Sequence, residues 1–175
     1  PKRGREAFEA ANLPEGGLTV RVVICGAGRD GRSVADALHP LGLPFVIVES
    51  DDRRVQQARR AGLPVVYGDA SQPIVLEAAG LARARAILVT ASAFSDVRAI
   101  VAAARAVRAD IPVIARADGV DAVRALYGLG IQEVTSPEFE AAIEMTRQAL
   151  MHFNVPAHDV LSVASAIRHE RYGQA

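Results

Sequence analysis

A short apolar strand that leads directly into three closely spaced glycines is the feature that most constrains the fold of this chain. Val20 to Cys25 is rich in β-branched residues, and Gly26, Gly28 and Gly31 follow it where a helical pattern begins. Glu49 ends the next apolar run, 18 positions after Gly31. Glycines between a strand and a helix, answered by an acid at the end of the second strand, are typical of a nucleotide-binding βαβ unit.

Composition narrows the class of protein. Half of the 175 residues are apolar, which is enough for one domain with a full core. Twenty basic and twenty acidic residues cancel, so we expect no nucleic-acid partner. Cys25 is the single cysteine, so no intramolecular disulfide can form, and no apolar run approaches the roughly 20 residues that span a bilayer. These features indicate a soluble, cytosolic piece of protein.

Apolar runs alternate with amphipathic stretches along most of the chain. Because the runs are continuous rather than alternating, both faces of the predicted sheet should be covered, as in parallel sheets. The sequence therefore predicts an α/β fold: a Rossmann-like, doubly wound, parallel six-stranded sheet with a C-terminal helical appendage. The six predicted strands are Val20–Cys25, Phe45–Val48, Val65–Tyr67, Ala86–Thr90, Val113–Ala115 and Ile131–Val134, and the predicted helices cover about 32–39, 52–61, 73–79, 94–108 and 119–127.

Three regions are predicted. Residues 1–17 are charged and end in turn formers, which favours a linker, and residues 18–136 form the nucleotide-binding domain. Residues 137–175 are interpreted as crossover or dimerisation helices, with a first helix from Pro137 and a last one over about 159–168. The first helix either packs back on the sheet or meets a second copy. Its apolar stripe consists of Phe139, Ile143, Thr146, Leu150 and Phe153.

The glycine segment predicts a phosphate site. Gly26 permits the turn, Gly28 lets a phosphate approach the backbone, and Gly31 lets the helix pack on the strand. Arg29 either reaches the phosphate or is a solvated surface arginine. Glu49 can accept hydrogen bonds from both ribose hydroxyls and would repel a 2′-phosphate, which favours adenosine or NAD(H) over NADP(H).

Further candidates follow other strands of the predicted sheet. Arg53 and Arg54 open a helix and could embrace a 2′-phosphate, but we favour their interpretation as solvent-exposed charges. Asp69 and Ala70 follow the third strand and could line the adenine side, although Asp69 could equally cap the helix at Pro73.

Two more residues end later strands. Thr90 ends the fourth predicted strand and would face the middle of the cofactor. Arg116 ends the fifth and is either a ligand contact or an ion-pair partner of Asp118 or Glu138.

No catalytic group stands out. The four histidines lack metal-ligand spacing, and neither a nucleophile elbow nor a P-loop lysine occurs. Tyr127 has Ile131 four positions on, where short-chain dehydrogenases carry lysine. Cys25 lies inside the first strand and is interpreted as a small buried hydrophobe. A nucleotide site without a catalyst or a metal centre suggests sensing rather than turnover.

An ordered set of segments resembles the N-terminal domain of RCK proteins (regulators of potassium conductance), also called TrkA-N, especially the version in Kef-type monovalent cation:proton antiporters. The resemblance runs from about Arg21 to Tyr172. The matching segments are Cys25-Gly-Ala-Gly-Arg-Asp-Gly31, Val48-Glu49, Tyr67-Gly-Asp-Ala70, Leu88-Val-Thr90, Ile114-Ala-Arg-Ala117 and Ser136-Pro-Glu-Phe-Glu-Ala-Ala-Ile143. Asp30 departs from the family, whose members usually carry an apolar residue there.

The resemblance implies a regulatory domain without enzymatic activity that binds AMP or NAD(H). It implies a homodimer and a membrane-embedded cation:proton antiporter domain as partners, with this chain on the cytoplasmic side of an inner or plasma membrane. Asp69 would hold the adenosine end, and Arg116 the phosphate or a neighbouring ligand. The alternatives are a soluble TrkA-like regulator of potassium transport acting in trans and an NAD-dependent oxidoreductase.

Overall fold

Strands and helices alternate along the chain in the computed structural model, which describes residues 9–13 and 22–173. The strands are β1 (Glu9–Ala11), β2 (Val22–Cys25), β3 (Phe45–Glu49), β4 (Val65–Tyr67), β5 (Ala86–Val89), β6 (Val113–Arg116) and β7 (Glu133–Thr135). The helices are α1 (Arg29–Leu38), α2 (Asp52–Arg60), α3 (Pro73–Ala78), α4 (Phe94–Val107), α5 (Val120–Gly128), α6 (Pro137–Met151) and α7 (Ala157–Gly173).

The sheet has the doubly wound topology that the sequence predicts. Its strand order is β1-β4-β3-β2-β5-β6-β7. β2 pairs in parallel with β3 on one side and with β5 on the other, so the order of the strands reverses beside β2. In such sheets the crevice outside the carboxyl ends of the strands at this reversal is where ligands bind. The Rossmann-like α/β prediction is confirmed.

A seventh strand lies at the edge of the sheet, where the sequence predicts a linker. β1 runs antiparallel to β4, with Ala10 opposite Val66. The backbone of Asn12 lies in the left-handed region, at φ +56°. Its side-chain amide donates to the carbonyl oxygens of Arg59 and Leu63 at 3.1 and 3.0 Å. Residues 9–11 therefore belong to the sheet. The rest of the predicted linker, except 12–13, lies outside the described residues, as do the predicted boundary at residue 18 and the first two residues of the predicted first strand.

The chain divides into two compact units, residues 1–114 and 115–175. In the first unit, helices α1 and α2 pack on β2, β3 and β4 around a buried cluster. The opposite-facing residues Val23, Val46 and Val48 are buried as well, which is why these strands are apolar up to their carboxyl ends. The buried cluster consists of Ile24, Ala35, Phe45, Ile47, Val55, Ala58, Leu63 and Val65.

In the second unit, helices α6 and α7 pack against each other. Phe139 and Ile143 of α6 are buried, as are Val160 and Ala164 of α7. The beginning of the predicted apolar stripe therefore serves the chain's own core. Phe153, at the other end of the stripe, is 78% exposed.

A polar cluster joins the start of α6 to the end of α7. The Ser136 backbone N–H donates to the Tyr172 hydroxyl at 2.9 Å, and that hydroxyl donates to Glu140 at 2.9 Å. Arg168 binds the same carboxylate, with Nη2 at 2.8 Å from Oε2. Burial raises the pKa of Tyr172 to about 12, whereas the hydrogen bond from Arg168 lowers the pKa of Glu140. At neutral pH the phenol is therefore the donor and Glu140 the anionic acceptor.

We expect Tyr172→Phe to lower the free energy of unfolding by about 1 to 2 kcal/mol, because the part-buried Ser136 N–H loses its acceptor. Urea denaturation followed by circular dichroism measures the change. Tyr67→Phe is the matched control, since the Tyr67 hydroxyl makes no hydrogen bond within the described chain. Equal stability of the Tyr172→Phe variant and the wild type would show that the cluster does not stabilise the helix pair.

Candidate nucleotide-binding site

The first glycine makes the sharp turn out of β2. Gly26 lies at φ +108°, a backbone conformation that residues with a side chain rarely adopt. Its N–H donates to the Val48 carbonyl oxygen at 2.9 Å, and a Cβ on Gly26 would overlap the Thr90 hydroxyl oxygen. Both the dihedral angle and the space therefore require glycine here.

The other two glycines have different surroundings. A Cβ on Gly31 would overlap the Gly26 carbonyl oxygen and lie 3.2 Å from the Ile24 side chain. Gly31 thus lets α1 approach β2, as predicted. Gly28 lies at an ordinary backbone angle. Among the described residues other than its chain neighbours, the atoms nearest to a Cβ built there belong to the guanidinium of Arg54. Gly28 is therefore where a ligand could approach the backbone.

The start of α1 offers hydrogen-bond donors to an anion. Gly28 is the N-cap and supplies no side-chain cap, and its carbonyl oxygen accepts from the Arg32 N–H at 2.9 Å. The first-turn N–H groups of a helix have no acceptor within the helix, and its dipole favours negative charge there. Arg29 is exposed beside them, and Asp30 adds an acidic residue to this first turn.

Glu49 is one of two buried polar residues among those the structure describes, with 6% of its surface exposed. Its Oε2 accepts from the Ala27 N–H at 2.6 Å, and its Oε1 accepts from the N–H groups of Ser50 and Asp51, both at 2.9 Å. A carboxylate has about four acceptor positions. One position on Oε2 therefore remains for a ligand hydroxyl.

This count changes the expected ribose contact. The sequence suggests that Glu49 accepts from both ribose hydroxyls, but three acceptor positions already hold backbone N–H groups. A direct bond to one hydroxyl fits the structure without breaking the turn that Glu49 supports.

Arg54 lies beside this carboxylate, although the interpretation favoured from the sequence is a solvated charge. Its Nη1 is 3.9 Å from Glu49 Oε2, and its side chain is 53% exposed. Arg53, the other arginine of this turn, is exposed. The position of Arg54 in the first turn of a helix that starts directly after the acid is the sequence signal that could have identified it.

Thr90 and Asp69 lie at strand ends, but both are engaged in the fold. The Thr90 hydroxyl donates to the Cys25 carbonyl oxygen at 2.9 Å and lies against Gly26. Asp69 Oδ1 accepts from both the N–H and the hydroxyl of Ser71 at 2.8 Å, so it forms a local turn, whereas Gln72 is the N-cap of α3. Ala70 is buried next to it.

Arg116 belongs to the second unit. Its Nη2 lies 3.1 Å from Asp118 Oδ1, which is one of the two ion pairs that the sequence suggests.

Two other kinds of site would need a reactive thiol or a metal-binding cluster among the described residues. Cys25 is buried, and burial, followed by the charge of Glu49, raises the pKa of its thiol to about 12, so it is not a thiolate at neutral pH. Within residues 9–13 and 22–173, no group of histidine, cysteine and acidic residues could hold a metal ion. Over the same residues, none of the helices is both long enough and apolar enough to cross a membrane.

The TrkA-N domain family matches residues 22–137, which include the whole glycine segment and Glu49. KefB of Alkalimonas amylolytica is 35% identical over 92% of this chain, and the glutathione-regulated potassium-efflux system protein KefC of Cronobacter sakazakii is 30% identical over 94%. The match covers 24% of KefB and 26% of KefC, so this chain spans about a quarter of their length.

Two solved structures share the fold. The TrkA-N domain of the Escherichia coli inner membrane protein ybaL is 31% identical, with a TM-score of 0.66 over 71% of this chain and 93% of that domain. The Kef CTD of Shewanella denitrificans in its AMP-bound form is 22% identical, with a TM-score of 0.74 over 88% of this chain and 94% of that one.

We expect Gly31→Ala to destabilise the protein by on the order of 1 to 3 kcal/mol, because the new methyl group meets backbone that cannot move aside without opening the turn. Gly28→Ala should cost much less, since its methyl group meets only the flexible end of Arg54 at 3.6 Å. Thermal unfolding of both variants measures the difference. Equal melting temperatures would contradict this division between the two glycines.

Proposed function

Because the chain belongs to the TrkA-N domain family, we propose that it is a regulatory domain that binds an adenine nucleotide, AMP or NAD(H), and thereby controls a potassium or cation:proton antiporter. The observation that carries this proposal is Gly28, whose Cβ position is approached by the movable guanidinium of Arg54, next to a buried carboxylate with one acceptor position left. A phosphate and a ribose hydroxyl are the two groups that such a pair of features would bind.

The ligand would lie along the carboxyl ends of the strands of the first unit. Its phosphate would be held at the start of α1 by the segment from Gly26 to Gly31, with Arg29 as a charge partner, and its ribose by Glu49. Asp69 and Ala70 would lie on the adenosine side. Thr90 would support the glycine loop through its contact with Gly26. Arg116 stays a prediction from the sequence. The AMP-bound Kef CTD, which shares this fold, supports AMP as a ligand.

We infer a regulatory rather than a catalytic role. Thr90 and Asp69 use their polar groups inside the fold, and the Cys25 thiol is buried and protonated. An NAD-dependent oxidoreductase would need a proton donor beside the nicotinamide. A ligand that binds one arrangement of the domain better than another shifts the population of the two, which is all that regulation requires.

The partner would be a membrane-embedded cation:proton antiporter domain, with this chain on the cytoplasmic side of an inner or plasma membrane. The names of KefB and KefC both refer to potassium efflux, and each is about four times as long as the segment that this chain matches. A soluble TrkA-like regulator acting in trans is the alternative. Transmembrane helices encoded in the same gene would favour the antiporter.

A homodimer is part of the proposal, and the exposed apolar side chains of α6, α7 and the segment between them support it. Met145, Phe153 and Leu161 are 71%, 78% and 65% exposed. A contiguous exposed apolar patch marks an interaction surface, and we propose that these three side chains belong to such a patch.

Isothermal titration calorimetry with AMP, NAD⁺, NADH and NADPH tests the binding site. We expect the wild type to bind AMP or NAD(H) and to exclude NADPH, because Glu49 repels a 2′-phosphate. Gly28→Val should abolish binding, because its side chain fills the space at the loop, and should leave the protein folded. The control is Gly128→Val, since nothing lies within 4 Å of a Cβ built on Gly128. No binding by the wild type, or normal binding by Gly28→Val, would contradict the proposal.

Sedimentation velocity tests the dimer. We expect Met145→Asp combined with Phe153→Asp to shift the wild-type dimer to a monomer, because two charges would be buried in the interface. Leu41→Asp is the control, since Leu41 is 70% exposed in the first unit. Phe139 is unsuitable for this test because it is buried within the chain. A wild-type monomer, or a dimer that survives the double substitution, would overturn the dimer proposal.

A further inference from the structure

The guanidinium of Arg54 lies next to Gly28 of the glycine loop. Its Nη1, Cζ and Nη2 atoms are 3.6, 3.8 and 4.0 Å from the position of a Cβ on Gly28. Three nearly equal distances mean that the planar group turns its face toward Gly28. The other arginine of the turn, Arg53, makes no such contact within the described residues.

Little holds this guanidinium in place. The 3.9 Å between Arg54 Nη1 and Glu49 Oε2 is too long for a hydrogen bond, and the arginine side chain is 53% exposed. An ion pair of this kind contributes little to stability. Arg54 can therefore turn toward a ligand without disturbing Glu49, which keeps its three backbone N–H donors.

The charges around Arg54 disfavour a second phosphate at this place. Three carboxylates precede Arg54 by five residues or fewer, those of Glu49, Asp51 and Asp52. Asp51 Oδ1 also accepts from the backbone N–H of Arg54 at 2.9 Å. A dianion would be repelled by this group of acids. A neutral aromatic ring would not be repelled, and a guanidinium stacks well on such a ring.

We propose that Arg54 is the base-recognition residue of this site, and that its guanidinium stacks on the purine ring of the nucleotide whose ribose binds Glu49. This inference rests on the proposed nucleotide binding and adds the side chain that contacts the base. One ribose hydroxyl takes the open acceptor position of Glu49. The base then extends past Gly28 to the first turn of α2, where Arg54 lies.

The test compares AMP with ribose 5-phosphate, which keeps the sugar and the phosphate but lacks the base. Binding of both ligands is measured by NMR titration of the wild type, Arg54→Ala, Arg54→Lys and the matched control Arg53→Ala. We expect Arg54→Ala to weaken AMP binding about tenfold, as loss of a cation–π contact does. Its affinity for ribose 5-phosphate should stay within about twofold of the wild type, since that ligand offers no ring to stack on.

Arg54→Lys should recover less than half of the lost AMP affinity, because an ammonium group keeps the charge but has no plane to stack. Arg53→Ala should bind both ligands as the wild type does. Unchanged or tighter AMP binding by Arg54→Ala would overturn the inference and show that the guanidinium only covers the loop. An equal loss for both ligands would overturn it in favour of a phosphate contact. A wild type that binds neither ligand would instead refute the proposed nucleotide binding.

Discussion

The Glu49 carboxylate is buried at the end of β3, and most of the site depends on how that charge is accommodated. A buried carboxylate is costly unless hydrogen-bond donors surround it, and here the backbone supplies three. These donors come from Ala27 in the glycine loop and from Ser50 and Asp51 in the next turn. One side chain thus fixes two loops of the site. The Glu49 carbonyl oxygen also accepts from the Gly68 N–H at 3.0 Å, so the exit of β4 is tied to the same residue.

The three glycines of the loop differ in whether the fold requires them. Gly26 and Gly31 are required by the close approach of Thr90 and of the loop's own backbone, whether or not anything binds. Gly28 is required by neither its backbone angle nor its packing. A glycine that the fold does not need is better evidence for a ligand than the complete three-glycine pattern, because a plain strand-to-helix turn explains the other two.

The sequence predicts the parallel strands well and the edge strand poorly, for a physical reason. β2 to β5 are short runs of residues that favour strands, and β2 to β4 are largely buried on both faces, so their pattern is strong. β1 is Glu-Ala-Ala, which has no preference for a strand, and it is exposed or only part-buried. Its pairing with β4 and the Asn12 side chain decide its conformation, and neither is visible in a local window.

The candidate site likewise contains features that a local window of sequence does not show. The glycines and Glu49 could be predicted as site residues because their spacing along the chain is typical of nucleotide-binding units. The position of Arg54 depends on where α2 starts relative to the loop, which the spacing does not give. From the sequence, the apolar stripe of α6 could pack on the sheet or on a second copy. In the structure α6 packs against α7, and the ring of Phe139 meets that of Tyr172 at a centroid distance of 5.1 Å. The sequence could not choose because a core contact and a dimer contact require the same residues.

The hydrogen bonds of Glu49 also indicate how ligand binding could affect the start of α2 within the first unit. Asp51 donates its N–H to Glu49 and uses its side chain to cap α2 through the Arg54 N–H. A ligand hydroxyl on Glu49 would therefore act two residues before the N-cap of α2, and a base on Arg54 would act within the first turn of the same helix. The loop and the sheet beneath it are held by close backbone contacts that leave little room to shift. The start of α2 is consequently the part of the site where occupancy can change the structure at the least cost.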